Sequence, residues 1–214
     1  MKTKEDENSS RWEEASLCAE LLAVDPHAIG GLLLNARAGP VREAWLQIVR
    51  DLVPPLTKIR RLPLNIGDDR LIGGLDLTRT LAQGKPVVDL GILAEVNEGL
   101  LIIPSVERLD VSRASKIVRA LDRGCVDLER DGVSSQLNTR FGVIALNEAL
   151  EGEEECPVAL SDRMALSLTL HGLRMKDVVI KPDLSTKIKN ARAILEKVQL
   201  PEDCSEAICH VANA

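Results

Sequence analysis

Apolar residues in this chain fall alternately into helical stripes and short unbroken runs. From Arg11 to Val24, the positions Trp12, Ala15, Leu17, Leu21 and Leu22 form an approximate helical stripe. Asp25-Pro26-His27 breaks it, and IGGLLL from Ile29 is the kind of continuous apolar run that a buried strand needs. A short loop over 35–41 leads into a second helical pattern, REAWLQIVRDL, which stops at Pro54-Pro55. KIRRLPL predicts a strand, NIGDDRLIGG a polar loop, and LDLTRTLAQG a helix that Gly84 ends. LLIIP at 100–104 and FGVIALN at 141–147 predict buried strands, with an amphipathic helix from Val111 to Asp122 between them. CVDLERDGVSSQL at 125–137 predicts a hairpin turning on Asp131-Gly132, a dipeptide suited to positive φ. EGEEE at 151–155 is expected to be a solvated acidic loop, and ALSDRMAL a short helix feeding a last core strand, SLTL.

Several of these strands lack in/out alternation, and helices separate them. That combination predicts an α/β fold: a parallel sheet flanked by helices, with a β-hairpin insertion. The division expected along the chain is a polar disordered tail over 1–10, a core domain over 11–182 and a small helical unit over 183–214. The last unit rests on DLSTKIKNARAILEKVQL and SEAICHVANA, and its helical pattern is still running at Ala214 without a stop signal. The chain is therefore expected to be a fragment.

Composition narrows the function. Lys and Arg number 27 against 33 Asp and Glu, a net charge of -6, which argues against a general electrostatic grip on nucleic acid. Trp12, Trp45 and Phe141 are the whole aromatic complement, so base-stacking platforms and aromatic cages are excluded. The five cysteines are scattered without a C-x-x-C, which fits reduced thiols in a cytoplasmic protein. Cys204, Cys209 and His210 lack a second ligand pair at zinc spacing, so no metal site is expected. No apolar run is long enough for a membrane helix, and MKTKEDENSS has no signal-peptide core.

A strand, a short loop and a helix near the N-terminus occupy the position of a phosphate-binding loop. Such a loop works through glycine backbone N–H groups, a Lys on the β/γ-phosphates and a Ser or Thr on Mg²⁺. Laid on G-x-x-x-x-G-K-[ST], this chain has Ala36 for the first glycine and Val41 for the second. Arg42 stands for the lysine and Glu43 for the hydroxyl residue. Gly39 precedes Pro40, which deletes a further N–H donor. Taken alone, the octet fits an ordinary strand-to-helix turn.

Four separated blocks give it context: GGLDL at 73–77, GILAEVNEGLL at 91–101, ERDG at 129–132 and LSDR at 160–163. In this order they resemble the AAA+ ATPase modules of the magnesium chelatase family, over roughly residues 15–170. The resemblance implies an AAA+ P-loop-type sheet, with residues 183–214 beginning a helical lid and the ERDG hairpin pointing into a ring. In the active subunit of that family, the apolar strand ends in a Walker B Asp-Glu pair. Here Pro104-Ser105 follows LLII, so the Mg²⁺ contact and the water-orienting base are both missing. With two phosphate stations erased, the chain looks like the non-hydrolysing D subunit. The sensor position falls on Asn147 or Glu148.

One station survives. Asp162-Arg163 resembles the family's L-x-D-R-F segment, whose arginine reaches the neighbouring subunit's nucleotide in trans; Met164 replaces the Phe. A planar guanidinium suits bidentate contact with a γ-phosphate. Arg140 is a second candidate interface arginine. The resemblance further implies an ATPase I subunit and a large porphyrin-binding H subunit as partners. It implies assembly in rings, insertion of Mg²⁺ into protoporphyrin IX for chlorophyll or bacteriochlorophyll, and location in the cytoplasm or a plastid stroma. No cofactor is expected to bind this chain tightly; ATP and Mg²⁺ belong at the interface with the partner. Two rival readings stand beside this one: a weak ATPase in which Arg42 replaces Lys, and a purely structural ring scaffold. Lys58, Arg60 and Arg61 read as solvated strand-edge charges, His27 as a turn residue, His171 as a strand-end residue and Trp45 as core.

Overall fold

The computed structural model describes residues 4–130, 133–149, 155–182 and 184–212. Five strands form a parallel sheet: β1 (Gly31–Asn35), β2 (Ile59–Arg61), β5 (Gly99–Ile103), β8 (Phe141–Asn147) and β9 (Leu166–Thr169), in the order β2-β5-β8-β1-β9. Alternate residues of the central strands enter two apolar layers. Leu32, Leu34, Leu100, Ile102, Ile144 and Leu146 face one layer; Leu101, Ile103, Phe141, Val143 and Ala145 face the other. Both faces are thus buried, and the strands read as apolar runs for that reason.

The first layer is closed by α1 (Lys4–Val24) and α3 (Pro40–Leu52). Trp45 is fully buried between them and donates its indole N–H to the Ala15 carbonyl at 2.8 Å, as core filler should. The second layer is closed by α7 (Val111–Arg123), capped by Asp110 and ended by left-handed Gly124. Gly99 and Gly142 lie where backbones meet: a Cβ would stand 2.0 Å from the Lys58 carbonyl oxygen and 2.4 Å from that of Pro26, respectively. Around this frame are α2 (Pro26–Ile29), α4 (Asp68–Leu71), β3 (Gly73–Leu75), α5 (Leu77–Gln83), β4 (Val88–Leu90), α6 (Ile92–Glu95), β6 (Cys125–Arg130), β7 (Val133–Asn138) and α8 (Val158–Ser161). Two helices, α9 (Leu184–Ile194) and α10 (Glu202–Ala212), follow. Among the described residues no helix is long and apolar enough to cross a membrane.

Two expectations are corrected. The polar segment over 1–10 was expected to be disordered, yet α1 already starts at Lys4. Glu5, Asp6 and Glu7 suit the positive end of the helix, and Asn8 and Glu5 are tied to Asp177 and Lys176 at 3.2 and 2.8 Å. The stretch NIGDDRLIGG, expected as loop, contains α4 and β3, and β3 pairs antiparallel with β4 around α5. Within the segment 183–214, α9 packs onto the core, with Ile188 buried in the first layer. Arg192 caps the carbonyl ends of α1 and α3 through Ala23 and Leu52, and Lys187 reaches Glu20 at 2.5 Å. By contrast, every described residue of α10 is exposed.

The hairpin expected over 125–137 is present as β6 and β7, in antiparallel register from Cys125↔Asn138 to Arg130↔Val133. Its turn, Asp131-Gly132, lies outside the described residues, as does most of the acidic stretch at 151–155.

Candidate functional site: a closed phosphate corner and an open arginine

The carboxyl ends of β1, β8 and β5 meet at one edge of the sheet, where ligands of open α/β folds bind. Only four residues, Ala36 to Gly39, separate β1 from α3. Pro40 occupies the first helical position, where its fixed φ costs nothing but its missing N–H is lost to any anion. Gly39 is extended (φ 171°) and a Cβ there would meet only the Arg37 carbonyl at 3.9 Å, so nothing in this loop demands glycine.

Arg42 holds the lysine position but is turned inward. It is 5% exposed; one Nη donates to Glu148 Oε1 at 2.6 Å and, at 3.4 Å, to the Ala36 carbonyl. Nε lies 3.4 Å from Glu43 Oε1, near enough for ion pairing but without hydrogen-bond alignment. The positive charge placed for a phosphate is thus answered by two carboxylates of the same chain.

Neighbouring groups fix Glu148. Its backbone N–H donates to Glu107 Oε2 at 3.2 Å, while Asn147 at the end of β8 donates from Nδ2 to Asn35 Oδ1 on β1 at 2.8 Å. The two sensor alternatives therefore do different things: Asn147 braces two strands, and Glu148 neutralises Arg42. At the end of β5, Pro104 and Ser105 are half-buried, and Ser105 takes a left-handed backbone (φ 43°, ψ 55°) leading into a short 3-10 turn over Val106–Arg108. The nearest following acid, Glu107, is committed to the Glu148 amide.

Beside this corner, a cavity of about 360 Å³ lies between the loop after β1 and that after β9; it is lined by Arg37, Gly39, Arg42, His171 and Arg174 among others. Tested against ATP–Mg²⁺, the donor set does not fit. The one guanidinium at the lysine position is already paired, Glu43 would face phosphate, and no carboxylate follows β5 at the metal position. Among the described residues no cluster of His, Cys, Asp and Glu could hold a metal ion.

Arg163 is different in kind. It follows α8, with its side chain 39% exposed, and its guanidinium meets Asp122, near the end of α7, through Nε to Oδ1 at 3.2 Å and Nη2 to Oδ2 at 3.0 Å. Among the described residues, the other Nη reaches only the Ala159 carbonyl, at 3.4 Å. This bidentate pair holds the Asp122 carboxyl below its usual range and raises Arg163 further, with Asp162 adding a smaller charge effect. Met164, in place of Phe, packs beside Gly31, where a Cβ would stand 2.5 Å from its sulfur. Arg140 lies elsewhere, its backbone N–H donating to Asn97 and its side chain 3.9 Å from Glu98. Arg60 pairs with Glu95 on the exposed edge of the sheet, a solvated charge as its strand position suggested. Sequence reasoning missed Asp122, which lies 41 residues from Arg163 and carries no motif. It also missed the pairing of Arg42 with Glu148 across 106 residues.

No protein-family model matches the chain. Among curated proteins, the magnesium-chelatase 60 kDa subunit of Rhodobacter capsulatus is 36% identical over 183 residues, covering 86% of this chain and 29% of the relative. The 67 kDa subunit of Chlorobaculum parvum is 37% identical over 146 residues, covering 68% and 23%. The chain is a homologue of the magnesium-chelatase 60 and 67 kDa subunits. It spans less than a third of the length of these two relatives. Among solved structures, a model of the complex between subunits BchI and BchD of magnesium chelatase superposes with a TM-score of 0.59 at 23% identity, covering 87% of this chain and 74% of that one. That likeness shows the fold, an AAA+ ATPase-like sheet flanked by helices, shared between this chain and magnesium chelatase.

Proposed function

We propose that this chain is the non-hydrolysing AAA+ module of a magnesium chelatase D subunit. In this reading it assembles in a ring with the ATPase I subunit, acts with the porphyrin-binding H subunit, and stimulates ATP-driven insertion of Mg²⁺ into protoporphyrin IX. The observation that carries the silent half of the reading is the pairing of buried Arg42 with Glu148, which occupies the charge a triphosphate would need. Homology to the 60 and 67 kDa subunits supports the chelatase assignment, and likeness to the BchI–BchD complex supports an I-type partner. The active half rests on Arg163, whose exposed fork follows α8 as an arginine acting in trans would need.

Two measurements test the halves separately. The subunit alone, titrated with a fluorescent ATP analogue and Mg²⁺, is expected to give no saturable binding; tight Mg²⁺-dependent binding would establish the weak-ATPase reading instead. In the assembled complex, Arg163→Ala is expected to lower ATP turnover at least about a hundred-fold, since a trans arginine contributes on the order of 10³–10⁵. Turnover equal to that of the parent would leave a structural scaffold as the role of this module.

A further inference from the structure

Arginine presents two faces for bidentate contact: the side edge, Nε with one Nη, and the end edge formed by the two Nη groups. Asp122 occupies the side edge of Arg163 completely, with both oxygens engaged at 3.2 and 3.0 Å. Among the described residues, the end edge keeps an unused Nη2 hydrogen and an Nη1 whose single contact, to Ala159, is long at 3.4 Å. A carboxylate on the end edge would compete with a phosphate for the same donors. A carboxylate on the side edge does the opposite: it fixes the rotation of the guanidinium plane and leaves the end edge available. The pair also joins α7 to the segment after α8, two elements packed directly against each other, so both ends of the fork's tether sit on packed backbone.

We propose that Asp122 is the positioning residue for Arg163, a splint that presents the end edge of the guanidinium to an anionic phosphate on the neighbouring subunit. This rests on the reading of Arg163 as a residue acting in trans. The lowered carboxyl of Asp122 agrees with it, because the aspartate remains an anion throughout the neutral range.

The test is a double-mutant cycle in the assembled complex, read as kcat and KM for ATP. Asp122→Asn keeps the shape and removes the charge. It is expected to lower kcat about ten-fold, because a misplaced positioning group costs rate through geometry, with KM for ATP changed less than two-fold. In an Arg163→Ala background the same substitution is expected to change kcat less than two-fold. Arg163→Lys keeps the charge but cannot serve both edges, and is expected to fall close to Arg163→Ala. Independent losses that multiply in the double variant, or an unchanged kcat in Asp122→Asn while Arg163→Ala is impaired, overturn the splint alone. An unimpaired Arg163→Ala overturns the trans arginine and the splint with it. Should Asp122→Asn assemble poorly, the Arg163→Lys comparison decides: full activity there means a splinted fork is not needed.

Discussion

Removing Glu148 should expose how much of this fold depends on an internal answer to Arg42. In Glu148→Ala the guanidinium of Arg42, a residue 5% exposed in the parent, loses its shortest partner, at 2.6 Å. Breaking a buried ion pair from one side costs about 3–5 kcal/mol, because a charge is left without compensation. Two features of the structure reduce that figure. The Glu148 side chain is 31% exposed, so water reaches part of the site, and Glu43 Oε1 stands 3.4 Å from Nε, able to take over some of the pairing. The expected loss is therefore about 2 kcal/mol, or a fall in Tm of about 4–8 °C for a chain of this size. Urea unfolding followed by tryptophan emission measures it directly, since Trp12 and Trp45 are both buried in the layer that α3 closes. Combining Glu148→Ala with Arg42→Met should recover much of the loss, because the buried cation is then gone and Glu43, its side chain 55% exposed, is left to solvent. A Glu148→Ala midpoint indistinguishable from the parent, or a double variant less stable than the single, would refute the argument that Arg42 is a buried charge neutralised from within.

Two further outcomes are expected. Burial, with a smaller contribution from Glu107, pushes the Cys156 thiol up from 9.0 to about 11. Its folded-state pKa lies above the unfolded one, so the stability it contributes is whole below pH 9 and is lost as pH rises from 9 toward 11. Unfolding free energies measured from pH 8 to 11 should fall less steeply in Cys156→Ala than in the parent, and parallel curves would contradict this. Arg192→Met removes the donors that hold the carbonyls of Ala23 and Leu52, so α9 should open more often and trypsin should cleave at Lys187 and Lys189 several-fold faster. Unchanged cleavage would mean that Ile188 and the Lys187–Glu20 pair suffice to dock the helix.

The sheet was legible in the sequence because burial on both faces leaves an unmistakable trace: apolar runs at 31–34, 99–103 and 141–146 with no polar alternation. Two helices were equally visible, α7 from its amphipathic spacing over Val111–Asp122 and α5 from the stop at Gly84. What escaped was tertiary. The first turns of α1 are polar and offer no stripe, yet they fold because Asn8 and Glu5 find partners about 170 residues away. Likewise β3 and β4 are three-residue strands whose pairing follows from the close approach of Gly73 and Gly91, not from any pattern of hydrophobicity. At the site, sequence could reveal which phosphate-binding groups were missing. It could not reveal what had replaced their interactions, because Glu148 and Asp122 act on residues 106 and 41 positions away.

That replacement gives the degenerate corner a physical logic. In a working phosphate loop, the nucleotide itself bridges the loop and helix after one strand to the acidic end of another. Here side chains make the bridges: Asn147 ties β8 to β1, Arg42 ties α3 to the segment after β8, and the Glu148 amide ties that segment to Glu107 beyond β5. Each tie uses a group that a bound triphosphate would otherwise have to engage or avoid, so on the function proposed above filling the corner and losing affinity for nucleotide would be one change and not two. Arg163, on the opposite terms, is held by its side edge, keeps its end edge accessible and is 39% exposed. On the function proposed above, a module whose own corner is fixed while one arginine remains available would be suited to completing a neighbouring subunit's site, in a geometry independent of nucleotide at its own corner.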